Sequence, residues 1–217
     1  EIGVASTKAF TTQLALFAVL AGALARRTGA IDAGAERAWV EALLHLPNVI
    51  QKALDDAPKV EALARKYKDR KGFLYLGRGL AHPIALEGAL KLKEIAYVHA
   101  EGYPAGELKH GPIAMVEPEI LVLAIAPEGG GTQHQKSVSN IEEVRARKGT
   151  LLGLGAPGDA HFREICHDYI DVPDPVVQDL LAIVSVVPLQ LFSYYVAVAR
   201  GTEVDQPRNL AKSVTVE

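Results

Sequence analysis

Hydrophobic positions along the chain follow two periods. Short, nearly uninterrupted apolar runs at 73–76 (FLYL), 120–127 (ILVLAIAP) and 150–155 (TLLGLG), with a shorter one at 166–172, read as buried strands. Longer stretches between them carry polar residues at helical spacing. One covers 35–54, with Trp39, Leu43 and Leu44 on one side and Pro47 as a kink or break; a more polar one covers 60–71. A third follows the turn Gly77-Arg78-Gly79, is free of glycine from 89 to 101, and runs as a long helix up to Gly102. Residues 134–149 and the apolar stretch 174–199 are two more. The segment 1–27 reads as a short turn feeding a helix, with Ser6-Thr7 as its cap. Strands alternating with helices predict βαβ units, hence an α/β protein: a three-layer α/β/α sandwich around a mostly parallel sheet, of flavodoxin or Rossmann-like type.

Composition narrows the picture. The 217 residues are 49% hydrophobic and 23% charged, as in an ordinary globular protein with a core of its own. A formal charge of -3 supplies no basic field, so no nucleic-acid partner is expected. Two uncharged runs, 9–25 and 180–199, need a membrane test, and the second has about the length of a bilayer span. It also holds Ser185, Pro188, Gln190, Ser193 and two tyrosines, and the first holds Thr11, Thr12 and Gln13. Both are therefore expected as helices buried in a larger soluble fold, with no membrane contact. The single cysteine, Cys166, excludes an internal disulfide, and its apolar neighbours predict a buried thiol in a reducing compartment, the cytoplasm. His161, Cys166 and His167 lack the two-plus-two spacing of a zinc site.

Candidate chemistry sits in the third helix and the segment after it. At roughly 100° per residue, Glu87, Lys91 and Glu94 fall on one helical face, two carboxylates flanking one ammonium, while Leu86, Leu90 and Ile95 point largely elsewhere. Such a stripe is either a solvated face with i,i+4 support or an acid/base set. It runs into GYPAGELKHGP (102–112), a loop that sets His110 among glycines and prolines, where polar residues are commonly exposed at the end of a rigid element. A histidine, two carboxylates and a lysine from consecutive elements are the groups that move protons on a sugar. The glycine-rich stretch EGGGTQ (128–133) has neither a GxGxxG fingerprint nor a P-loop lysine and reads as a surface turn rather than an anion cradle.

EGALKLKEIAYVHAEGYPAGELKHGP, the terminal VDQPRNLAKSVTVE and the N-terminal EIGVASTKAFTTQL resemble, in that order and over nearly the whole chain, the isomerase half of the glutamine–fructose-6-phosphate aminotransferases, or glucosamine-6-phosphate synthases. The resemblance implies the end of a first sugar-isomerase (SIS) domain over 1–56, a second SIS domain over 57–201 and an active-site tail over 202–217. It implies a homodimer that makes glucosamine 6-phosphate from fructose 6-phosphate and ammonia, with no metal or organic cofactor. The ammonia would come from a glutaminase domain in a longer chain; that domain needs an N-terminal cysteine, and this chain starts at Glu1.

Residue by residue, the resemblance assigns His110 to ring opening in the neighbouring subunit's pocket and Glu94 to proton transfer between C1 and C2. Lys91 and Lys212 would stabilise enediolate-like charge or assist imine chemistry, with Glu87 orienting Lys91. Val4, Ser6 and Ala211 would contact the sugar phosphate. The family's Ser/Thr-rich phosphate loop has no counterpart in these residues. Two other readings remain: a non-catalytic sugar-phosphate-binding SIS module, which needs no proton-transfer groups, and a related deglycase or ketose isomerase.

Overall fold

The computed structural model of the chain describes residues 2–212. Its centre is a sheet of five parallel strands, β1 (Gly72–Gly77), β2 (Ala100–Pro104), β3 (Ile120–Ala126), β4 (Thr150–Gly155) and β5 (Asp168–Asp171), in the order β2-β1-β3-β4-β5. β1, β3 and β4 are apolar at successive positions because both faces are covered. Phe73, Tyr75, Leu121 and Leu123 point to one face, where they meet α2 (Ala33–Asp55), α3 (Ala57–Tyr67), α4 (Ala81–Ala96) and α7 (Leu181–Arg200). Leu74, Leu76, Val122 and Ala124 point to the other, against α5 (Gly131–Ala146) and α6 (Ala160–Ile165). This is the three-layer sandwich that the alternation predicts. Phe192 of α7 meets Phe73 edge-on at a centroid distance of 6.3 Å.

Several local expectations change. Pro47 does not break α2, which stays helical through it. Ala42, Leu46, Val49 and Ala53 bury the helix on both sides of the proline, and that packing offsets the one lost backbone bond. α2 starts where Asp32 accepts a hydrogen bond from the Ala35 amide at 2.8 Å. Asp32→Ala is expected to cost about 1 kcal/mol; an unchanged urea midpoint would contradict that cap. At α1 (Lys8–Arg27), Thr7 holds the cap position but its side chain makes no capping bond, so the Ser6-Thr7 cap is not formed.

The uncharged runs part company. α7 is largely buried, as expected, whereas α1 buries only Gly22 and leaves Leu16, Phe17, Leu20 and Leu24 on the surface of this chain. Both helices are long and apolar enough to cross a membrane. α1 rests on α2, where Trp39 donates to the Ala18 carbonyl at 3.1 Å, and on α7, whose Gln190 donates to the Thr7 carbonyl at 3.3 Å.

The largest correction concerns the third predicted helix. α4 stops at Ala96, and 100–104 forms the edge strand β2, pairing Ala100 with Phe73 and Pro104 with Gly77. The stop is Tyr97, left-handed at φ 55°, where no glycine announces it. Its hydroxyl accepts from the Arg208 amide at 2.8 Å, and the Arg208 guanidinium lies 4.4 Å from its ring centre. These tertiary contacts hold a conformation that costs roughly 1–2 kcal/mol by itself.

Candidate functional site

α4 carries the candidate acid/base stripe. Gly88 lets the helix lie down on the sheet: a Cβ there would stand 2.8 Å from Leu189 and 2.9 Å from Tyr75. That close approach carries the residues one position before and three after it below the surface. The Lys91 ammonium donates to Glu94 Oε2 at 2.5 Å and lies 3.5 Å from Glu87 Oε1. Side-chain exposure is 3% for Lys91, 10% for Glu87 and 21% for Glu94. The solvated-face alternative is therefore excluded: the flanks Leu86 and Leu90 are the exposed positions, and the charges are inside.

A buried ammonium between two carboxylates is an expensive way to fill a helix face. Each ion loses several kcal/mol of hydration, and apolar residues of equal volume are often as stable or more so. Glu87 shows the strain electrostatically. Burial lifts its pKa above the usual carboxylate value, Lys91 pulls it back, and the charge of Glu94 pushes it up again. A raised acid binds more protons folded than unfolded, so this residue's contribution to stability is present below its unfolded pKa and is lost as pH rises through the folded one. Such groups mark sites of chemistry more often than sites of pure stability.

The tail and the N-terminal segment meet beside the end of α4. Val4 donates its amide to the Asp205 carbonyl at 2.8 Å, and Lys212 donates to the Gly3 carbonyl at 3.4 Å. Thr202 donates to the Ile95 carbonyl at 2.6 Å, and Arg208 is held by Tyr97, so the tail runs within one turn of Glu94. Val4 and Lys212 thus belong to one neighbourhood formed by the two ends of the described chain, and Ser6 and Ala211 lie beside them in sequence. Residues 213–217, the rest of the terminal motif, lie outside the described residues. Of the residues that fasten this neighbourhood, Tyr97, Asp205 and Arg208 lie inside the motifs that carry the resemblance, but neither they nor Thr202 show in sequence the contacts they make.

His110 is placed differently. It ends a 3₁₀ turn (Ala105–His110) whose Ala105 and Leu108 are rooted in the core on the opposite face of the sheet from α4. His110 is exposed, and among the described residues the hydrogen bonds and ion pairs of Glu87, Lys91 and Glu94 do not include it. The segment expected to be a loop is two successive 3₁₀ turns, Ala105–His110 and Pro112–Met115.

The remaining titratable candidates have structural partners. His161 pairs with Glu142 at 3.4 Å, and His167 Nδ1 accepts from the Leu151 amide at 3.1 Å. Burial pushes the Cys166 thiol up to about 12, with the charge of Asp159 adding to the rise, so it is no nucleophile at neutral pH. Among the described residues, no three His, Cys, Asp or Glu side chains group so as to hold a metal ion.

Comparison with known proteins adds the following. Residues 66–200 match the model of the SIS domain. The chain is 49% identical over 218 aligned positions to a glutamine–fructose-6-phosphate aminotransferase (isomerizing) of Thermus thermophilus, and 51% identical to that of Escherichia coli. All of the chain is covered, but only 35% of either relative, so it spans about a third of their length. Among solved structures, the C-terminal domain of glucosamine-fructose-6-phosphate aminotransferase from Francisella tularensis superposes with a TM-score of 0.85 at 38% identity, covering 95% of this chain and 57% of that one.

Proposed function

The chain belongs to the SIS-domain family, and from that premise we propose that it is the C-terminal isomerase part of a cytoplasmic glutamine–fructose-6-phosphate aminotransferase. In this reading the whole protein condenses fructose 6-phosphate with glutamine-derived ammonia and isomerises the product to glucosamine 6-phosphate. The observation that carries the proposal is the buried Glu87–Lys91–Glu94 stripe: a module that only bound sugar phosphate would have no reason to sink a proton-transfer pair into its core. The identity to the two aminotransferases supports it over the deglycase or ketose-isomerase alternative.

The roles follow from chemistry. Ring opening needs an acid or base at the ring oxygen, and His110 supplies it. Its exposure on the far face of the sheet from α4 suits a pocket in a second copy of the chain, hence a homodimer. Moving a proton from C1 to C2 needs a carboxylate that can reach both carbons, and Glu94, the most accessible of the stripe, is that group. Lys91, held by two carboxylates, stabilises the enediolate-like charge, and Glu87 positions Lys91. Lys212, on the tail that passes the end of α4, is the remaining candidate for imine chemistry, and Val4, Ser6 and Ala211 border the sugar phosphate.

The test is a chimera in which this chain replaces the stretch it matches in the Escherichia coli relative. Glutamine-dependent formation of glucosamine 6-phosphate from fructose 6-phosphate is expected. A folded chimera that binds fructose 6-phosphate and converts none of it overturns the reading in favour of a binding module.

A further inference from the structure

A cavity of about 110 Å³ opens at the carboxyl end of the sheet, beside the first turn of α4 and one turn before Glu87. It lies beyond the carboxyl ends of β1 and β3, where the chain, having crossed from β1 to β2 on one side, turns to build β3, β4 and β5 on the other. Open parallel sheets place ligands at this reversal of strand order. Ala81, Ile84, Pro127 and Leu181 make its apolar wall, and Gln178 and Asp179 stand at its exposed mouth. Its size corresponds to roughly three or four water molecules.

Two of the residues that line it each carry a buried polar atom with no hydrogen-bond partner among the described residues. Ser185, 1% exposed, is one of them; its Oγ makes no bond to the preceding turn of α7, unlike Ser193, which donates to the Leu189 carbonyl at 2.9 Å. The other is Glu128 Oε2. The Glu128 carboxylate is held in place through its first oxygen: the Gln133 amide donates to Glu128 Oε1 at 3.1 Å and to the Arg78 carbonyl at 3.2 Å. Gln133 can lie there because Gly79, at φ 54°, offers it no Cβ. Both N–H groups of that amide are thereby spent, and Glu128 Oε2 remains a buried carboxylate oxygen with no donor.

We propose that this cavity is a second small-molecule site, which takes an ammonium-type group, either the free ion or the head of a primary amine. The group would donate to Glu128 Oε2 and Ser185 Oγ. A carboxylate oxygen has only lone pairs to offer, so its ligand must bring N–H or O–H. No lysine or arginine lines the cavity, whereas Glu128 and Asp179 do, which favours a cationic donor over a neutral one. The starts of α4, α5 and α7 border the same space and by themselves favour an anion. Those helix dipoles are already answered by the two carboxylates, and Glu128 Oε2 would repel an incoming phosphate.

Titration of the chain with methylammonium chloride, against tetramethylammonium chloride at equal ionic strength, tests this. The two ions share a charge, but only the first can donate a hydrogen bond. A saturable shift of the Gln133 and Gln178 side-chain amide resonances is expected with methylammonium alone. Weakening of that binding by tenfold or more is expected in Glu128→Gln, and a smaller loss in Ser185→Ala. Ammonium chloride then separates the sources: tighter binding of methylammonium assigns an amine head, and equal binding assigns the free ion. An equal response to both alkylammonium ions, or a response that survives both substitutions, overturns the site. Saturable binding of inorganic phosphate without methylammonium binding overturns its assigned charge.

Discussion

Replacing Lys91 by methionine is expected to lower the stability of the fold by about 3–5 kcal/mol at pH 7, the range seen when one partner is removed from a buried ion pair. Methionine fills nearly the same volume, so the loss does not come from a cavity. It comes from two carboxylates, Glu87 and Glu94, left facing each other without the ammonium that lies 3.5 and 2.5 Å from them. Burial already raises Glu87, and losing Lys91 removes what pulled it down. The variant's folded state therefore holds a proton on Glu87 that its unfolded state releases, and its deficit shrinks as pH falls through the raised folded value of Glu87 toward the unfolded one.

Urea unfolding at pH 7 and pH 5 reads both effects, and an unchanged midpoint at pH 7 would contradict the burial argument. The triple replacement Glu87→Leu, Lys91→Met, Glu94→Leu is expected to be as stable as the parent or more so. That result would show that stability alone does not account for the stripe.

The second large effect is on rate. In the chimera with the Escherichia coli relative, Glu94→Gln is expected to lower kcat by roughly 10²–10⁴-fold, the contribution typical of a positioned proton-transfer group, with KM for fructose 6-phosphate nearly unchanged. Glutamine keeps the volume and an acceptor for Lys91 but cannot carry a proton. A KM that rises in step with the loss of kcat/KM, at constant kcat, would make Glu94 a binding group instead.

The strands and most helices were legible because their signals are local: apolar runs for β1, β3 and β4, helical spacing for α2, α5 and α7. The layers followed from their alternation. The end of α4 was not legible, because Tyr97 is left-handed on account of Arg208, a residue 111 positions away. β2 likewise depends on a partner distant in sequence. AEGYP has no strand pattern of its own and becomes a strand by pairing with β1. Whether the Glu–Lys–Glu stripe faces water or core depends on Gly88 meeting Tyr75 and Leu189, contacts that periodicity along α4 cannot express. The sequence around Glu128 reads as a surface turn, and only the folded chain shows its second oxygen buried without a donor.

Following the C1 hydrogen bears most directly on the central claim that Glu94 moves the proton. Fructose 6-phosphate deuterated at C1 is given to the chimera and to its Glu94→Gln variant, and NMR follows the label to C2 of the aldose product or to water. With both C1 hydrogens replaced by deuterium, the account predicts that one deuteron leaves C1 in step with turnover in the parent, and that both stay at C1 in the variant while the sugar remains bound. Label leaving C1 at the same rate in both proteins would contradict it and assign the proton to another group.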